Sequence, residues 1–104
     1  MLYLHCKYNE IGFVWDEIKN RLNKRKHDVS FEEAKTVFYD EHAIEAYDPE
    51  HSESEDRFLM LGVSDRLRVL VVSHRFQEEE SLIRIISARK ATEKEAVFYE
   101  EGRR

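Results

Sequence analysis

With 104 residues the chain has room for one domain, and a hydrophobic content of 41% takes it out of the disordered class. No apolar run approaches the length of a membrane span, and the opening MLYLHCKYNE is broken by His5 and Lys7 too early for a signal segment. A net charge of −5 argues against a generic nucleic-acid binder, because neutralising phosphates needs positive surface.

The distribution of charge says more than its sum. Lys19 to His27 holds five Lys or Arg residues and no acid, whereas Glu41 to Asp56 holds seven acids and no Lys or Arg. From Arg66 to Arg75 the charged side chains are three arginines. Such segments suit RNA on one side and a basic partner on another, or serve as ordinary solvated faces. The one cysteine, Cys6, cannot make an internal disulfide, which makes a reducing cytoplasm the default compartment.

In chain order, residues up to about Gly12 give no clear element, with a short strand at Gly12–Val14 as an option. A first helix fits Trp15 to His27, where Trp15, Ile18 and Leu22 make an apolar stripe expected to face a core. Lys19, Asn23, Lys26 and His27 form a polar ridge beside it. A second helix starts at Ser30, with Ser30 and Glu33 as a reciprocal capping box and Phe31, Ala34, Val37 and Phe38 as its buried face. A short strand over Ala43–Tyr47 stops at Asp48-Pro49, and Pro49–Asp56 reads as a polar loop. Strands follow over Arg57–Val63, Leu67–Phe76 and Leu82–Ala88, joined by turns at Ser64-Asp65-Arg66 and Gln77–Glu80. A last helix begins at Thr92, capped with Glu95, and ends near Gly102. The prediction is an α+β fold: two N-terminal helices, a four-stranded antiparallel sheet and a C-terminal helix. All 104 residues form one domain, of which 1–12 are an extended start.

Histidine spacing offers no H-x3-H or HExxH pair, a lone cysteine builds no thiolate cage, and three scattered glycines make no phosphate cradle. Neither a metal nor another cofactor is expected. What remains is basic and imidazole chemistry on the sheet. In a regular strand Arg68 and His74 share a face. Arg84 and Arg89 differ in parity, so a bulge or the strand end is needed to bring them to one surface. An arginine between Ile83 and Ile85 needs compensation for its lost water. Either a carboxylate such as Glu95 or Asp16 supplies it, or the side chain grips phosphate with its planar fork. Metal-free RNA cleavage needs a base at the 2′-hydroxyl, a cation at the phosphorane-like transition state and an acid at the 5′-oxygen. Histidine suits both proton transfers. His74 and His27 are available, although either taken singly is more often structural.

The string Trp15-Asp16-x-x-Lys19-x-x-x-Asn23-x-x-Lys26-His27, followed by Val29 and Phe31, resembles the opening motif of the BrnT toxin family. Arg84-Ile85-Ile86-Ser87-Ala88-Arg89-Lys90-Ala91, with Glu95 beyond, resembles its second signature. Asp48-Pro49, Arg57, Gly62 and the strand ending in His74 match in order and spacing between them. The resemblance implies a RelE-like fold and a ribonuclease activity that suppresses translation. It also implies neutralisation by a BrnA-type antitoxin, through which alone operator DNA is bound. On this basis the expected catalytic set is His74, Arg68, Arg84 and Arg89, with Lys19, Lys26, His27 and Arg66 binding RNA. The other reading is a non-enzymatic co-repressor module in which the arginines pair with antitoxin acids. The family usually has glycine where this chain has Asp28, at a helix end expected to need positive φ.

Overall fold

The structure is a computed structural model that describes residues 11–77 and 81–103. The elements are β1 (Gly12–Val14), α1 (Glu17–His27), α2 (Phe31–Thr36), β2 (Ile44–Tyr47), β3 (Phe58–Val63), β4 (Val69–Gln77), β5 (Leu82–Lys90) and α3 (Glu93–Gly102). Short 3-10 turns at Val37–Tyr39 and Pro49–His51 follow α2 and β2. The strands form one sheet in the order β1-β5-β4-β3-β2. The α+β class stands, but the sheet has five strands and is mixed, because β1 pairs parallel with Leu82–Arg84 of β5. Of the predicted Gln77–Glu80 turn, Gln77 belongs to β4 and residues 78–80 fall outside the described residues, as does everything proposed for Cys6.

One sheet face carries Met60, Leu70, Val72, Ile83, Ile85 and Ala88, and packs against Phe31, Ala34, Val37 and Phe38. Gly62 sits where α2 and its 3-10 extension press closest. A Cβ there would lie 2.9 Å from Val37 Cγ1 and 3.0 Å from both Ala43 Cβ and Asp40 Oδ2, so no larger residue fits without movement.

The first helix is the main departure from the predicted packing. Ile18 and Leu22 are 62% and 54% exposed, and the buried residues are Asn20 and Asn23. Apolar periodicity scores burial only, whereas this helix lies beside the end of β5, where β1 no longer covers the strand, and meets open backbone groups. Asn23 takes the place of a strand there. Its Nδ2 donates to Ala88 O (2.8 Å) and Val29 O (2.9 Å), and its Oδ1 accepts from Ala88 N (3.1 Å). Asn20 Oδ1 accepts from Phe31 N at 2.8 Å. Buried backbone groups need such partners, and here asparagine supplies them. Trp15 precedes the helix, which is capped by Asp16, and packs edge-on against Phe31.

At the other end of α1, Asp28 has φ 60° and ψ 31°, the left-handed conformation expected there. Its Oδ2 lies 3.4 Å from Arg68 Nη1 and 3.6 Å from Lys90 Nζ, contacts that offset the strain of a non-glycine residue. The Ser30 box closes on one side only. Ser30 Oγ accepts from Glu33 N at 3.0 Å, but the Glu33 carboxylate turns inward to Arg68 and Ser64. The Thr92–Glu95 box closes on both sides.

The second sheet face holds α3 at one end. Glu95 reaches Arg89, Gly102 lies against Ile44, and the buried Tyr99 donates its hydroxyl to Asp40. Burial first, and the Asp40 carboxylate second, push the Tyr99 phenol well above its ordinary range, which keeps it a neutral donor. The rest of this face is open.

Candidate active site

β5 contains the irregularity that sequence parity demanded. Ser73 pairs with Ser87 and His74 with Ile85, which leaves Ile86 as an extra residue in the ladder. The bulge resets the alternation, so Ile83, Ile85 and Ala88 all face the core while Arg84 and Arg89 both face the open side. Paired residues point to one face, and Arg84 pairs with Arg75, Ser87 with Ser73 and Arg89 with Val71.

A cleft of about 310 Å³ opens on this face, lined by Asp48, Glu50, His51, Arg57, Leu59, Ser73, Ser87 and Arg89. A smaller hollow of about 70 Å³ continues it toward α1, sharing Leu59, Ser73, Ser87 and Arg89 and adding His27. The volume lies at the small end of the range for ligand clefts. Each wall carries an imidazole, and the floor carries two serines and an arginine. His51 is held by its own loop: Pro49 starts the 3-10 turn, and His51 Nδ1 lies 2.9 Å from Asp48 Oδ2. The pair places the mostly buried Asp48 behind an imidazole that is 63% exposed, the arrangement by which a carboxylate fixes a histidine's orientation and tautomer. Ser52 Oγ steadies the loop, donating to Asp48 O (2.6 Å) and accepting from Arg57 N (2.9 Å).

Arg89 is aimed by Glu95 through two parallel hydrogen bonds, Nη1–Oε1 at 2.8 Å and Nη2–Oε2 at 3.0 Å. The bond from Arg89 lowers the Glu95 pKa to about 2, against an opposing effect of burial and with help from the Thr92 amide. The same bond raises Arg89, which is therefore cationic at any working pH.

The predicted site residues separate into three groups. His27 and Arg89 meet at the cleft, and Arg84 stands on the same face, its Nε donating to Gln77 Oε1 at 2.8 Å. Neither carboxylate expected for Arg84 is its partner. Lys19 and Lys26 are exposed on α1, which leads to the cleft at His27. Arg68, Arg66 and His74 lie elsewhere, and this corrects the expected convergence of Arg68 with His74. Arg68 bonds Glu33 through Nε (3.0 Å) and Nη2, and Asp28 O at 2.8 Å. Burial would raise the Glu33 carboxyl, yet the hydrogen bonds from Arg68 and Ser64 and the charges of Arg68 and Arg66 hold it below its ordinary value. Arg66 sits at the same turn, 3.7 Å from Glu33 Oε1. His74 has no exposed surface. Its Nδ1 and Nε2 meet Val72 O (3.0 Å) and Glu45 Oε2 (2.8 Å), and Phe38, Phe58 and Phe76 surround its ring. It is a core residue on the sheet face opposite the cleft.

Sequence reasoning passed over His51, Ser73, Ser87 and the chemistry of Arg57. Asp48-Pro49 and Arg57 were visible as motif positions, but an acidic stretch disguised His51 as part of a solvated loop.

Together the fold and the cleft define a small α+β protein in which a helix end and a loop bring imidazoles, and the sheet a carboxylate-aimed arginine, to one open face. A family model described as the ribonuclease toxin BrnT of type II toxin–antitoxin systems matches residues 15–95, and the chain belongs to that family. Its fold is similar to the 1.1 Å crystal structure of the Brucella abortus ribonuclease toxin BrnT. The TM-score is 0.59 at 24% identity, covering 80% of this chain and 99% of that one. No curated protein matches the chain. Among the described residues no helix is long and apolar enough to cross a membrane.

Proposed function

We propose that this protein is a cytoplasmic endoribonuclease toxin that cleaves RNA without a metal ion and is neutralised by a BrnA-type antitoxin. The observation that carries the reading is the Asp48–His51 pair lining the cleft with Arg89, with His27 lining the hollow that continues it. The cleft then contains its own proton carriers and its own cation, the three requirements of phosphodiester transesterification. In this scheme one imidazole takes the 2′-hydroxyl proton and the other protonates the 5′-oxygen as the P–O bond breaks. Arg89 balances charge on the phosphorane-like transition state, and Ser73 and Ser87 offer hydroxyls to its oxygens. Lys19 and Lys26 on α1 guide the flanking strand toward His27. The family's membership in toxin–antitoxin systems supports the protein partner.

The test is incubation of purified, folded protein with RNA in EDTA. Cleavage that falls at least tenfold in His51→Ala, His27→Ala and Arg89→Ala, with melting curves unchanged for the histidine variants, supports the reading. Intact RNA together with normal cell growth on expression of the lone chain would favour the co-repressor module instead.

A further inference from the structure

Beyond the cleft, the open face carries a feature that the catalytic scheme leaves unused. Arg75 of β4 and Arg84 of β5 are direct cross-strand partners. Like charges directly opposite one another destabilise a sheet unless an anion lies between or above them. The structure supplies one such anion for Arg75. Glu55 Oε2 lies 3.2 Å from Arg75 Nε and 3.5 Å from Arg57 Nε, so a single carboxylate oxygen touches two guanidinium groups. The compensation is incomplete. Arg57 Nε is shut off from solvent and has no hydrogen-bond acceptor, and Arg84 has the neutral Gln77 at its Nε. Two arginines therefore share one carboxylate oxygen while Arg84 stands across the ladder from one of them, and Arg57 is also part of the cleft wall. The Arg75–Arg84 rung is four β4 residues from the Val71–Arg89 rung, roughly 13 Å at strand rise.

Resting on the RNA-cleaving reading, we infer that Arg75, Arg84 and Arg57 form a second phosphate subsite for a backbone phosphate neighbouring the scissile one, and that Glu55 occupies it in the free protein. Glu55 belongs to the loop that also holds Asp48 and His51, so arriving RNA exchanges one anion for another. A backbone phosphodiester offers two non-bridging oxygens where Glu55 places one on the arginines, and planar guanidinium forks match that geometry. Arg75 is thus a substrate-positioning residue that contacts RNA outside the bond being cut. The exchange gives the enzyme a preference for substrates that extend beyond one phosphate.

The experiment uses a fluorescent single-stranded hexanucleotide carrying 2′-O-methyl groups, which cannot be cleaved because the attacking hydroxyl is blocked. Anisotropy titrations of wild type, Arg75→Gln and Glu55→Gln are run over a series of salt concentrations. Arg75→Gln is expected to bind about 5- to 10-fold more weakly and to lower the slope of log affinity against log salt by about 0.7, one phosphate contact. Glu55→Gln is expected to bind several-fold more tightly, a gain that a merely structural role for the loop would not produce. Replacing one phosphate of the probe with an uncharged methylphosphonate should abolish the difference between wild type and Arg75→Gln at one position only. Wild-type binding with an unchanged affinity and slope in Arg75→Gln overturns the subsite and leaves the nuclease reading intact. If Arg75→Gln instead weakens only binding of the antitoxin, the pair belongs to the protein partner and the subsite also falls. No binding of the probe by wild type removes the RNA reading itself, and the subsite with it.

Discussion

Glu95 Oε1 accepts hydrogen bonds from two sources, the backbone N–H of Thr92 and Nη1 of Arg89, each at 2.8 Å. One carboxylate thereby starts α3 and aims the arginine at the cleft. Its pKa of about 2 lies below the ordinary 4.5. A depressed carboxyl stabilises the fold fully above its unfolded value and loses that contribution as pH falls through the folded value, here between about 4.5 and 2. Both partners are partly exposed, so solvent screening leaves the pair worth on the order of 1 kcal/mol. Urea unfolding of Glu95→Gln should show that loss at pH 7 and little difference from wild type near pH 2.

Arg68 and His74 should prove structural. Arg68→Ala strands the buried Glu33 carboxylate with Ser64 and is expected to cost about 3–5 kcal/mol at pH 7. Unpaired, that carboxyl rises with burial, so the variant's deficit should shrink as pH is lowered and the group protonates. Nuclease activity per folded molecule should be unchanged. A specific activity reduced tenfold in protein that melts like wild type would return Arg68 to the catalytic set.

Asp48→Asn separates orientation from proton transfer. The amide keeps size and hydrogen bonding but favours the wrong His51 tautomer, an effect worth up to about 10⁴-fold in a serine protease triad and expected here as roughly 10- to 100-fold in kcat because His51 is far more exposed. KM should move little. With His27 and His51 as acid and base, wild type should show a bell-shaped pH–rate profile, and each single histidine variant should lose one limb. A profile unaltered in both variants would exclude the pair.

Gly62→Ala should destabilise the protein by about 1–3 kcal/mol, because Val37, Ala43 and Asp40 all close on the missing Cβ. Asp40 also accepts from Val63 N at 2.9 Å and binds the Tyr99 hydroxyl. Movement there should loosen α3, which amide exchange in residues 93–102 would report.

Leu67 offers a change in the opposite direction. It has φ 63° in the β3–β4 turn and is 85% exposed, so its side chain gains little while its backbone is strained. Leu67→Gly should raise stability by about 0.5–1 kcal/mol, less the glycine's greater unfolded entropy. Thermal unfolding would register the gain, and a lower midpoint would refute it.

The fold was legible wherever apolar alternation reflects burial. β3, β4 and β5, the capping box of α3 and the Ser30 half of the box of α2 follow from local patterns, and the left-handed helix end at Asp28 follows from the family's glycine there. Two features did not follow. Asn20 and Asn23 bury their helix face because backbone groups elsewhere lack partners, a need that no periodicity in α1 records. β1 joins β5 across 70 positions of the chain (Gly12 with Leu82), a distance that short-range signals cannot anticipate. At the site, Arg84 and Arg89 were visible as a pair requiring a bulge or a strand end, and His27 as a motif residue. His74 misled because strand parity shows which residues share a face but not whether that face is core or solvent. His51 was hidden because the role proposed for it rests on Asp48 three positions earlier and on a cleft assembled by β3, β4 and β5.

The way Asn23 seals Ala88 bears on how the free molecule behaves in concentrated solution. Past Arg84 the rim of β5 is uncovered by β1, and an exposed rim is a template onto which another chain can zip. An amide side chain that occupies both the donor and the acceptor there blunts the seam without a charge or a proline. Cutting it back to alanine would therefore do more than weaken the fold. It would turn a discrete particle into one prone to strand-by-strand self-association.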